Sequence, residues 1–175
     1  MKILDATCGV KAMWFNKNHP LVTYLDKRNG NYTSWNKTKA KRNTAHINPD
    51  VVADWTKELP FDNEYFDMVL FDPPHIIQSK PDKSNCMTYY GYLPSNNWDK
   101  LLKLGIDELF RVLKPEGVFI FKWAERAKPI KEIIKLFPYP PIFGNRTWKA
   151  NPAKSNEVYW LVFLKYNVNG KLDIN

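Results

Sequence analysis

Phe66-Asp67-Met68-Val69-Leu70-Phe71, closed by Asp72-Pro73-Pro74-His75, is the stretch whose reading decides the fold. A short, almost unbroken apolar run fits a strand covered on both faces, as in a parallel sheet. Two consecutive prolines lack backbone donors and continue neither a helix nor a sheet ladder. The run therefore reads as a buried strand that stops at a rigid turn with a carboxylate at its tip.

Working outward, further strand-like runs stand at 3–4, 21–25, 51–53, 118–123 and 158–164. Between them, 97–113 sets Trp98, Leu101, Leu102, Leu109 and Val112 at helical spacing, and Lys114-Pro115-Glu116-Gly117 stops that helix. Shorter helices are predicted at 10–17 and 127–137. Strands alternating with helices imply an α/β domain with a mostly parallel sheet, and 158–164 with the segment near Phe143 predicts an antiparallel C-terminal hairpin. The polar segments 27–48 and 76–96 break the alternation and read as long loops, which in compact domains are usually functional or disordered.

The 175 residues predict one domain, 1–175, with no separate target-recognition domain. No apolar run reaches membrane-spanning length, and the first residues are unlike a secretory signal. A soluble, cytoplasmic protein is expected. Cys8 and Cys86 show no zinc-site or disulfide spacing, so no metal is expected. The formal charge is +8 and unevenly placed: 27–50 holds six Lys/Arg against one acid, 122–165 nine against three, and 51–121 seven against eleven. Basic segments flanking an acidic middle suit a polyanion, because each cation meeting a phosphate releases counterions. A solvated basic surface is the alternative reading.

Three more strands close on acids. The first runs into Asp5-Ala6-Thr7-Cys8-Gly9, a strand-to-helix turn at the sheet edge where α/β proteins bind ligands. It lacks the glycines of a dinucleotide fingerprint and the GK[ST] of a phosphate loop, which argues against a nucleotide phosphate. Asp26 ends the second strand, 21 residues after Asp5, a spacing suited to accepting hydrogen bonds from ribose hydroxyls. Asp54, followed by Trp55, ends the third and is placed to receive an adenine amino group. At the fourth, the Asp72 carboxylate and a carbonyl of the Pro73-Pro74 pair form two acceptors. Together they can grip the hydrogens of an aromatic amine and favour a pyramidal, nucleophilic nitrogen, while His75 offers a ring for stacking. A plain strand-ending turn capped by Asp72 is the competing interpretation.

With these motifs the chain resembles the class I S-adenosylmethionine-dependent methyltransferases, in particular amino-methyltransferases with a D/N-P-P-aromatic motif, over 3–165. The resemblance implies a Rossmann-like three-layer sandwich and S-adenosylmethionine as cofactor. It places Asp5, Ala6, Thr7, Cys8, Gly9, Asp26, Asp54, Trp55 and Asp72 at the cofactor, and Asp72, Pro73, Pro74 and His75 at the chemistry. His75 departs from the usual Tyr, Phe or Trp, and the first turn is poorer in glycine than the family's. The layout is similar to small phage and prophage enzymes, implying N6 methylation of adenine in DNA with relaxed sequence preference. RNA adenine or guanine, a small metabolite, or a non-catalytic cofactor-binding subunit are the alternatives. For the nucleic acid, the expected contacts are Trp35, Lys39 and Arg42 from the basic loop, Tyr89 and Tyr90 from the second loop, and Lys122 and Trp123 from the fifth strand.

Overall fold

The computed structural model describes residues 1–36, 41–80, 85–145 and 157–166. Its centre is a seven-stranded sheet. In chain order the strands are β1 (Ile3–Asp5), β2 (Val22–Asp26), β5 (Val51–Val52), β6 (Phe66–Phe71), β9 (Leu113–Ala124), β10 (Phe143–Gly144) and β11 (Val158–Leu164). The spatial order is β10-β11-β9-β6-β1-β2-β5. β5, β2, β1, β6 and β9 run parallel, while β11 is antiparallel to both β9 and β10. The expected α/β class, the mostly parallel sheet and the C-terminal hairpin are all present. Because the chain moves outward from β1 to β2 and β5, then returns to β6 on the other side, the topological switch point lies between β1 and β6.

One face of this sheet is sealed. Register aligns Leu4, Val69, Phe119 and Phe163 in one row, and Phe71, Phe121 and Leu161 in the next. All seven are buried, packed with Leu102, Ile106 and Leu109 of α2 (Trp98–Val112) and Ile130 and Ile133 of α3 (Ile130–Ile134). Helix α2 ends one residue before β9 begins, and the turn needs Glu116 at a φ of 61° followed by Gly117, where a Cβ would lie 2.6 Å from Leu113 Cδ1. The opposite face carries a smaller cluster of Cys8, Val22 and Tyr24 packed with Ile3 and Trp14.

Four sequence expectations need correction. Residues 10–17 form turns rather than a helix, because Gly9 and Lys11 take left-handed φ values of 49° and 56° and Asn16 folds onto Asn18 N. Only Ile130–Ile134 of 127–137 is helical, since Pro129 fixes an extended entry; Glu125 Oε1 accepts the Ile130 N–H. The segment 27–48 is not a loop: β3 (Gly30–Asn36) and β4 (Lys41–Ile47) form an antiparallel hairpin in register from Gly30↔Ile47 to Asn36↔Lys41. Within 76–96 lie β7 (Ile77–Gln78), α1 (Asn85–Tyr90) and β8 (Leu93–Pro94), with β7 and β8 paired. No helix among the described residues is long and apolar enough to cross a membrane.

Candidate functional site

At the carboxyl ends of β1, β2, β5 and β6 lies a cavity of ≈ 680 Å³, within the usual range for a small-molecule site. Its wall brings together Ala6, Thr7, Cys8 and Gly9 after β1, Asp26 at the end of β2, Asp54 and Trp55 after β5, and Asp72 and Pro74 after β6. Tyr89 and Tyr90 close it from α1, and Asn31, Tyr32 and Thr33 from β3. Of the residues read as cofactor contacts, Asp5 alone is absent from this wall.

Asp5 lies beneath the turn. Its carboxylate is fully buried, accepting the indole N–H of Trp14 at 2.7 Å and the Thr7 N–H at 3.1 Å. Burial pushes its pKa up to about 6, and the hydrogen bonds from Trp14 and Thr7 only partly oppose that rise. Its place is therefore structural: it holds the turn from below. The same burial raises the Cys8 thiol to about 12, so this cavity-wall sulfur stays protonated.

Gly9 brings main chain close to the ligand space, and its N–H donates to Asp26 Oδ2 at 3.1 Å. The remaining capacity of Asp26 is taken by a residue that the sequence reading missed. Arg28 donates to Oδ1 from its backbone N (2.9 Å) and Nε (3.0 Å), and to Oδ2 from Nη2 (3.0 Å). The same guanidinium reaches the end of α1, donating to Thr88 O at 3.0 Å and Tyr89 O at 3.2 Å. Arg28 is thus a strap from the β2 acid to the helix above the cavity. Asp54 holds its own turn through Thr56 N (3.0 Å) and Oγ1 (2.9 Å), with Oδ2 3.9 Å from Lys27 Nζ. Trp55 floors the cavity from the core, edge-on to Phe71 at 5.0 Å.

The turn after β6 is tied to the turn after β1, because the Asp72 N–H donates to Thr7 Oγ1 at 2.9 Å. Asp72 Oδ2 accepts from Lys122 Nζ at 2.7 Å. His75 Nε2 is 2.8 Å from Asp72 Oδ1, but the contact lacks the alignment of a hydrogen bond. Asp72 Oδ1 and His75 Nδ1 are buried without a hydrogen-bond partner among the described residues. Pro74 lines the cavity, whereas Pro73 is buried behind it. Gly91, at a φ of 75°, ends α1 and packs beside Pro74, with its would-be Cβ 3.5 Å from Pro74 Cγ.

Several expected nucleic-acid contacts sit elsewhere. Trp123 is completely buried, its indole N–H bonded to Lys128 O, so no substrate reaches it. His75 packs edge-on against that ring at 5.0 Å and turns toward Asp72 instead of the cavity, because Trp123 occupies one side of it. Lys122 meets Asp72 and does not line the cavity. Arg42 is exposed on the hairpin, away from the cavity wall. Trp35 pairs with Arg42 through its backbone; its side chain, like all of Lys39, lies outside the described residues.

No protein-family profile and no curated protein sequence matches this chain. Among solved structures, it aligns with the PH0226 protein from Pyrococcus horikoshii at a TM-score of 0.52 and 17% identity, over 95% of this chain and 82% of that one. With a SAM-dependent methyltransferase from Methanosarcina mazei the TM-score is 0.52 at 14% identity, over 94% and 92% of the two chains. At such identities the likeness is one of architecture, and it places the chain in the same Rossmann-like α/β fold as that methyltransferase.

Proposed function

We propose that the protein binds S-adenosylmethionine and transfers its methyl group to the exocyclic N6 amino group of adenine in DNA. The observation that carries this reading is the convergence on one switch-point cavity of the Ala6–Gly9 turn, Asp26, Asp54 and, from the turn after β6, Asp72 and Pro74. A cavity edged by the carboxylates of Asp26, Asp54 and Asp72 suits a cationic, hydroxyl-bearing nucleoside. Gly9 permits close main-chain approach, and Asp26 accepts the ribose hydroxyls once Arg28 shifts or shares its oxygens. The cofactor supplies an electrophilic methyl carbon on a positively charged sulfur.

The chain's part is positioning and electrostatics. Asp72 Oδ1, buried without a hydrogen-bond partner among the described residues, accepts one hydrogen of the adenine amino group. The Pro73 carbonyl takes the second. On methylation, with the cofactor leaving as its neutral thioether, Asp72 holds the amino nitrogen in place and passes the proton that the nitrogen sheds to water. Partners and substrate class rest on the +8 charge and the motif together.

Incubation with methyl-tritiated cofactor and separate DNA, RNA and metabolite pools, followed by nucleoside digestion, tests this. Label is expected in DNA as N6-methyladenine. Label in RNA would move the assignment to that polymer, and label confined to small molecules would overturn it. Asp72→Ala is expected to cut transfer by at least about a hundredfold, in line with loss of an oriented catalytic acceptor, while weakening cofactor binding far less. Equal loss of both would remove Asp72 from the assigned role.

A further inference from the structure

The two oxygens of Asp72 have different surroundings. Oδ2 accepts from Lys122 Nζ at 2.7 Å, in an ion pair whose side chains are 24% and 13% exposed. Oδ1 is buried and makes no hydrogen bond among the described residues; His75 Nε2 lies 2.8 Å from it, out of hydrogen-bond alignment. Lys122 comes from β9, the strand beside β6, and it alternates with the fully buried Phe121 and Trp123, so it projects from the opposite face of the sheet. Its ammonium lies 4.0 Å from Met13 Sδ and 5.5 Å from the centre of the Trp160 ring. A carboxylate, a thioether and an aromatic face therefore fix where that charge sits, next to Asp72 and to Met13 of the cavity wall.

We infer that Lys122 is a positioning residue: it pins Asp72 Oδ2 so that Oδ1 faces the acceptor amine, and its charge moderates the pull of the carboxylate on a cationic ligand. The inference rests on the methyl-transfer reading above. An unpinned carboxylate rotates and presents either oxygen, whereas a held one presents a single acceptor in a fixed direction. The ammonium also repels any positive charge in the cavity, so it opposes a sulfonium but leaves a neutral thioether unaffected.

That second effect gives a readout independent of turnover. Calorimetric titration of the whole chain with S-adenosylmethionine and with S-adenosylhomocysteine measures the ratio of the two affinities. Lys122→Met and Lys122→Gln are both expected to raise the preference for the sulfonium on the order of fivefold, since one partly screened like charge is lost. In the same variants kcat for transfer is expected to fall more than KM rises, and Lys122→Arg is expected to restore both properties in large part. A purely structural lysine moves both affinities alike, so an unchanged ratio in variants that still fold overturns the inference while leaving methyl transfer standing. If the unaltered protein binds neither ligand, the methyl-transfer reading fails and this assignment falls with it.

Discussion

Asp5 shows how little a residue's motif says about its surroundings. An acid at the end of the first strand reads as a ligand contact, yet the structure places it under the turn, with Trp14 above one oxygen and Thr7 N on the other. A carboxyl raised from 3.8 to about 6 in the folded state keeps a proton that the unfolded chain has already released. Over about pH 4 to 6 the native state binds more protons at this site, so stability falls as pH rises and levels off above the folded value. The span corresponds to roughly 3 kcal/mol at 1.36 kcal/mol per unit. Asp5→Asn removes the titration but also one acceptor, a loss that does not depend on pH. Urea denaturation from pH 4 to 7 is expected to show Asn gaining on Asp by up to about 3 kcal/mol across the range. A gap that stays constant with pH would rule out the buried-carboxyl account.

Among the elements, α2 and the hairpin β3–β4 depend on contacts of different legibility. Helix α2 was readable from its spacing of apolar residues, but the reason for Gly105 within it was not. A Cβ there would stand 2.2 Å from Trp55 Cε3, so the glycine exists to let the floor of the cavity press against the helix. Gly105→Ala gains about 1 kcal/mol of helix propensity and loses about 1–3 kcal/mol to overpacking, so a net loss is expected in chemical denaturation. A stabilised variant would mean that Trp55 moves aside freely.

The hairpin escaped sequence reading because, of its inward positions Tyr32, Ser34, Asn43, Ala45 and Ile47, two are polar and one is small, leaving too short an apolar alternation to detect. Arg28 escaped for another reason: its partners Thr88 and Tyr89 are backbone carbonyls some sixty residues away, which no local pattern encodes. What was legible were the strand-ending acids, because an apolar run marks where each strand stops and therefore which residue reaches the sheet edge. Arg28→Ala is expected to loosen α1 selectively. Hydrogen exchange at Gly91, whose N–H bonds to Met87 O, should speed up about tenfold, while the β9 amides keep their protection. Equal acceleration in both would point to global destabilisation rather than a released strap.

At the scale of the molecule, charge and the sealed sheet face divide the work. Burial of Leu4, Val69, Phe71, Phe119, Phe121 and Phe163 under α2 and α3 commits one side of the sheet to stability, so ligands meet the edge where the acids stand. Under the proposed function a cationic nucleoside is drawn to those acids, whereas a polyanion is repelled by them and has to be held by cations elsewhere. The basic segments 27–50 and 122–165 flank the acidic middle and supply such cations. The two ligands should therefore respond to salt in different ways. Under the proposed function, affinity for DNA is expected to drop steeply between 50 and 200 mM salt, by about a thousandfold if some six phosphates are contacted. Affinity for the cofactor, held by short-range contacts inside the cavity, should change only about twofold over the same range. Fluorescence anisotropy for DNA and calorimetry for the cofactor, in matched buffers, give the two slopes. A flat response for DNA would leave the +8 charge with no role in capturing a polyanion and shift the substrate toward small amines that enter the cavity unaided.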